Sequence, residues 1–207
     1  MRKVTSIEST VETDILDAAL HLLDAPCDRT VTINEIAAKS GYSINTIYRR
    51  FPGKDAILRA VAQLQLRRTW AVRTAILDHP PPATIEDVES LVRQLVSAWV
   101  NSLLTQRRAK RTLLVHFMAH EELITEFVRA TLDLATAHLR IVLTKSAHLI
   151  EPITETQVRM LAHAVIGNAR MAVLIDETDA NAETLTADLT LLVTRFIRWQ
   201  NTSVPST

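Results

Sequence analysis

Apolar residues recur every three to four positions along most of the chain, the spacing that gives a helix one buried face. Ile15, Ala19, Leu22 and Leu23 mark a first helix, which "DAPCDRT" at 24–30 ends. A short second helix opens at "TINE", 32–35. There the Thr32 hydroxyl can accept from the Glu35 backbone N–H while the Glu35 carboxylate reaches back to the Thr32 N–H. Ile33, Ile36 and Ala37 are expected to face inward. Gly41 follows at a sharp turn between two packed segments, where positive φ is cheap only for glycine. Ser43 caps a third helix, with Ile44, Ile47 and Phe51 expected inward and Asn45, Thr46, Tyr48, Arg49 and Arg50 on the other face.

Beyond Pro52 a long helix is expected from Lys54 to about Leu77, and "HPPP" at 79–82 stops it. "TIED" at 84–87 caps the next. Further helices are expected over 84–105, 109–118 and 121–149. After Pro152, a T-x-x-Q cap at Thr154 starts the last two, over 154–175 and 182–200. The pattern predicts an all-α fold of about nine helices. It divides after the third helix into a helix-turn-helix segment over 1–53 and a larger helical part over 54–207.

Composition agrees with a folded helical chain: 207 residues, 47% hydrophobic, 22% charged and only three glycines. Met1-Arg2-Lys3 is followed by polar and acidic residues rather than the apolar core of a signal peptide. No uncharged apolar run approaches the roughly 18 to 20 residues of a membrane span. The lone Cys27, beside Asp28, has no internal disulfide partner. These features predict a cytoplasmic protein with no membrane partner.

The net charge is zero, but its distribution is not even. Residues 1–28 hold two bases and six acids, whereas 29–54 hold Arg29, Lys39, Arg49, Arg50 and Lys54 against Glu35 alone. A nucleic-acid surface needs such a local patch rather than a basic whole. The polar face of the third helix suits base edges and phosphates in a major groove. Lys54, at the start of the long helix, offers a phosphate both its charge and nearby N–H groups. The same residues also suit a solvated turn between ordinary helices.

The stretch "TINEIAAKSGYSINTIYRRFPGKDAIL", residues 32–58, resembles the tetracycline-repressor (TetR) family of transcription regulators. It carries that family's Ile-Ala, Gly-x-Ser, Tyr-x-x-Phe and downstream Lys in order and at its spacing. The resemblance implies a helix-turn-helix over 32–51, a recognition helix over 43–50, and phosphate contacts at Tyr48 and Lys54. The expected DNA-contacting set is Thr32, Tyr42, Ser43, Asn45, Thr46, Tyr48, Arg49, Arg50 and Lys54. Cys27 stands where the family usually has glycine, and Leu23 where it has an aromatic residue. Tyr42 replaces a small aliphatic residue, so it either reaches the DNA backbone or covers the turn.

A reader of this type needs two copies, because two-fold operators match two-fold proteins. Val158, Ala162, Val165, Ala169 and Ala172 form one apolar stripe; Leu185, Leu189, Leu192, Phe196 and Trp199 form another. Gly167 permits close helix approach. Either stripe equally suits the chain's own core, but the resemblance implies a dimer through a four-helix bundle of the last two helices. The expected interface is Val158, Ala162, Val165, Gly167, Ala169, Leu185, Leu189, Leu192 and Phe196.

Trp70, Trp99, His116, His120, Phe127 and His138 suit an effector pocket, and as readily a core. His116 and His120 lie four apart, but two ligands do not make a metal site, so neither metal nor cofactor is expected. "QRRAKR" at 106–111 suits an anionic effector or a solvated helix turn. No P-loop, G-x-G-x-x-G, G-x-S-x-G or H-E-x-x-H occurs, and no catalytic residue is expected. The expected function is a ligand-released repressor that binds a palindromic operator as a homodimer, its effector a small molecule the sequence does not identify. The alternative is a helical small-molecule-binding or interaction protein without DNA binding.

Overall fold

The computed structural model describes residues 2–25, 31–78, 80–175 and 181–203, with side chains at 11–25, 31–69, 76–78, 80–175 and 181–198. Among them are nine helices and no strand: α1 (Arg2–Asp24), α2 (Ile33–Ser40), α3 (Ile44–Arg50), α4 (Lys54–Leu77), α5 (Ile85–Leu104), α6 (Arg107–Met118), α7 (Glu121–Lys145), α8 (Glu155–Leu174) and α9 (Ala182–Ser203). No helix of the described residues is long and apolar enough to cross a membrane. Cys27 lies outside the described residues, as do the side chains of Trp70 and Trp199.

Three of the starts are capping boxes set by local sequence. Thr32 with Glu35, Thr84 with Asp87 and Thr154 with Gln157 each exchange both hydrogen bonds. The Asp87 carboxyl is held below its usual range, first by the bond with the Thr84 side chain and then by the Thr84 and Ala83 backbone N–H groups. α6 begins differently. Gln106 sits in the left-handed region at φ 53° and offers no side-chain cap. Instead the Asp24 carboxylate, from the end of α1, accepts from the Ala109 N–H at 3.2 Å. A carboxylate at a helix N-terminus is favoured by the orphan donors and the helix dipole. α7 stops at Lys145, short of the expected 149. There the buried Ser146 hydroxyl donates to Val142 O at 2.8 Å and the chain tightens into a turn.

The chain forms two compact units. The first, Met1–Arg67 with Gln106–Ile124, contains α1 to α3, the start of α4, and α6. In it α1 packs on α2 and α6, and α2 on α3. Its buried residues include Ile15, Leu16 and Ala19 of α1, Ile36 of α2, Ile47 of α3, Ile57 and Val61 of α4, and Leu113 and Phe117 of α6. The second unit, Arg68–Thr105 with Thr125–Thr207, is built round α5, which packs on α8 and α9. Trp99, Leu95, Leu139, Leu161, Ile166 and Val193 belong to its core.

Candidate functional site

The turn from α2 to α3 depends on Gly41, whose φ of 76° is left-handed and whose N–H closes α2 on Ala37 O. A Cβ there would meet nothing within 4 Å, so any cost of a side chain is backbone strain alone. Gly41→Ala is therefore expected to destabilise the first unit by about 1 to 2 kcal/mol. Urea unfolding should show a lower midpoint at an unchanged m-value; an unmoved midpoint would contradict the strain argument.

Ser43 then accepts from the Thr46 N–H at 3.1 Å, and its hydroxyl lies 2.9 Å from that of Thr46. α3 is anchored by the fully buried Ile47 and by Phe51, which closes the helix onto Ile47 O. With Ile47 held inward, the helix presents Asn45, Tyr48 and Arg49 to solvent, with Thr46, Arg50 and Lys54 half-buried alongside. Tyr48 is 51% exposed, a large value for an aromatic residue on a helix anchored from its other side. Thr32 is exposed but engaged in its own capping box with Glu35.

One placement differs from the sequence pattern, and another agrees with one of two readings the sequence left open. Ile44, expected inward, is 44% exposed: it is the first residue of a seven-residue helix, and that first turn projects past the core that Ile47 enters. It thus joins the exposed face, and the i, i+3, i+7 template could not show this. Tyr42 donates its hydroxyl to Asp14 of α1 at 2.9 Å. That bond, ahead of burial and the Asp14 charge, raises the phenol pKa. Tyr42 therefore pins the turn to α1, a pairing of distant residues that local sequence does not reveal.

The expected effector residues fall in different units. His116 and His120 belong to the first. Trp99, Phe127 and His138 belong to the second, where Trp99 and His138 are fully buried. The Trp99 indole nitrogen has no hydrogen-bond partner. A residue missed from the sequence lies beside Phe127: the Arg170 guanidinium sits 5.4 Å from the Phe127 ring centre, and its Nε and one Nη are buried without a hydrogen bond. Burial pushes the Arg170 pKa down to about 10, since the low-dielectric surroundings disfavour the charge. α5 and α9 also border a groove of about 450 Å³ lined by Glu89, Arg93, Asp188, Leu191, Arg195 and Arg198, among others.

Of the expected interface residues, Val158, Ala162, Val165, Ala169 and Leu189 are buried within the chain itself. Leu185 and Phe196 are half-buried against the same core. Gly167 and Leu192 are exposed. The outward face of α8 also carries Met160, Met171 and, just past its end, Ile175, each at least half exposed.

A family model described as "Bacterial regulatory proteins, tetR family" matches residues 15–61, from α1 into α4. No curated protein matches the chain by sequence. Among solved structures, the chain is similar to a TetR transcription regulator from Haloarcula marismortui, with a TM-score of 0.71 at 17% identity over 93% of this chain and 98% of that one. It is similar also to the fatty acid degradation regulator FadR from Bacillus halodurans (TM-score 0.67, 18% identity, 91% and 96% covered). FadR from Bacillus subtilis in complex with stearoyl-CoA gives 0.63 at 16% identity over 88% and 97%. At such identities the structures speak for the fold, and the family model speaks for its own span: residues 15–61 match the tetR family of bacterial regulatory proteins.

Proposed function

We propose that this chain is a cytoplasmic transcriptional repressor that binds a palindromic operator as a homodimer and leaves it when a small molecule binds. The observation that carries this reading is the exposed face of α3, a short, capped helix anchored by Ile47 with Asn45, Tyr48 and Arg49 turned outward. A helix of this kind can enter a major groove, where Asn and Arg are the side chains that pair with two atoms of one base. Asn45 and Arg49 read bases. Ile44 adds an apolar contact of the sort that a thymine methyl accepts. Tyr48 and Lys54, with Thr32, Ser43, Thr46 and Arg50 at the margin, position the helix on phosphates. Tyr42 supports the reading head through Asp14. The DNA-reading segment is 1–53, held in its compact unit by the start of α4 and by α6.

The remainder, 54–207, serves effector binding and self-association. The effector is placed in the second unit, near Trp99, Phe127 and His138. Arg170, charged and with two unbonded guanidinium nitrogens, supports an effector with an acidic group. Dimerisation is placed on the outward faces of α8 and α9, around Met160, Gly167, Met171 and Leu192, because these are the apolar and small positions the single chain leaves uncovered.

Capture of genomic fragments by the purified protein tests the reading: the recovered sequences should share a palindrome with half-sites one helical turn, about 34 Å, or a multiple of it apart. Lys54→Ala should weaken all sequences alike and reduce the salt slope by about one, while Asn45→Ala should relax preference at one base position, a discrimination of about 1 to 3 kcal/mol. Fragments with no common sequence would remove operator binding. Unchanged affinity of Lys54→Ala at several salt concentrations would remove the phosphate role.

A further inference from the structure

We propose that Asp55, His116 and His120 form a binding site for one divalent transition-metal ion of the zinc class, tying the first turn of α4 to the corner where α6 ends. All three belong to the first compact unit, and their ligand atoms lie within 4.8 Å of one another. Each arrives by a separate local cause. Asp55 is the second residue of α4, directly after Lys54. His116 sits in the last turn of α6. His120 follows Ala119, where the chain tightens: the Ala119 N–H bonds to His116 O and the His120 N–H to Phe117 O at 2.9 Å. That tight turn brings the two imidazoles together, their ring centres 5.0 Å apart.

The distances suit coordination. Two ligands about 2.0 to 2.1 Å from a tetrahedral zinc ion stand about 3.3 Å from each other. His116 Nε2 and Asp55 Oδ1 are 3.2 Å apart. They are close enough for an ion pair but not aligned as a hydrogen bond, and His116 Nε2 is shielded from solvent with no hydrogen-bond partner. A shared cation would use both atoms at that spacing. His120 and Asp55 are exposed, so their side chains are free to close the remaining gap by rotation about their χ angles. Two imidazole nitrogens and one carboxylate oxygen select a borderline ion over magnesium or calcium, which take all-oxygen shells. Three protein ligands leave a fourth position for water or a further group.

The site stands apart from the operator reading, since none of the three residues is assigned to DNA, and its test needs no DNA. The full chain, prepared without a polyhistidine tag and stripped with a chelator, is titrated with zinc by calorimetry. One ion per chain is expected, with a rise in Tm on zinc and none on magnesium. Cobalt substitution should give the intense visible bands of a tetrahedral ion. Asp55→Asn, His116→Gln and His120→Gln should each lower zinc affinity by about 10-fold or more. Seven histidines are present, so the variants also locate the ion. Saturable binding that survives in all three variants would place the metal elsewhere and overturn the proposal. So would no saturable binding at micromolar zinc, which would leave only the 3.2 Å approach of His116 to Asp55. His120→Gln alters an exposed side chain, and its circular dichroism should match that of the parent, separating lost ligation from misfolding.

Discussion

Ile47→Asp should abolish operator binding while leaving the second unit folded and self-associated. Ile47 has no exposed surface, and it is the residue that holds α3 against the first unit's core. Removing a buried isoleucine costs about 2 to 5 kcal/mol from lost contacts and cavity alone. An ionised carboxylate in that buried site adds several kcal/mol more, because it loses its hydration. Together these approach the whole stability of a typical domain, about 5 to 15 kcal/mol. The second unit has a separate core, centred on Trp99 and Leu95, that the substitution does not touch. Circular dichroism should show partial helix loss and sedimentation an unchanged association state. Ile47→Val, at about 0.5 to 1.5 kcal/mol, should keep both fold and binding. An Ile47→Asp protein that still shifts operator DNA would mean that α3 is not the reading element.

The helix-turn-helix was legible in the sequence because its determinants are local. A Thr three residues before a Glu, Asp or Gln specifies a cap where a turn or proline break precedes it, and the boxes at Thr32, Thr84 and Thr154 all form. Gly41 likewise announces a left-handed residue that no neighbour needs to impose. Gln106 shows the converse, a left-handed residue without a glycine, steadied by the Gln65 side chain, which donates to Gln106 Oε1 at 3.0 Å. Features that join distant segments were not readable: Tyr42 with Asp14, Asp24 with Ala109, Asp55 with His116, and Arg170 over Phe127. Periodicity also cannot say which surface covers an apolar stripe. α8 has two such faces. Val158, Ala162, Val165 and Ala169 turn to the chain's own core, and Met160, Gly167 and Met171 turn away from it.

That second face makes Gly167→Trp the sharpest test of assembly. Gly167 is exposed, and a Cβ built on it would meet nothing within 4 Å, so the indole has room in the isolated chain. Tryptophan also suits a helix interior better than glycine, which leaves the fold of the single chain intact or slightly favoured. A second copy packed on this face would meet the full indole where it had met only backbone. Overpacking a close contact commonly costs about 1 to 3 kcal/mol, and a two-fold axis near the position would apply that cost twice. Sedimentation equilibrium should therefore show a folded monomer. The consequence at DNA is larger still. Two linked heads bind two half-sites with an avidity about 10²- to 10⁴-fold above one head, so affinity for the full operator should fall by that factor while affinity for a single half-site stays the same. The salt slope should also drop toward half, since each head carries its own phosphate contacts. A Gly167→Trp protein that remained fully dimeric would move the interface to another face of the second unit. A monomer that held the full operator as tightly as the parent would show that one reading head suffices.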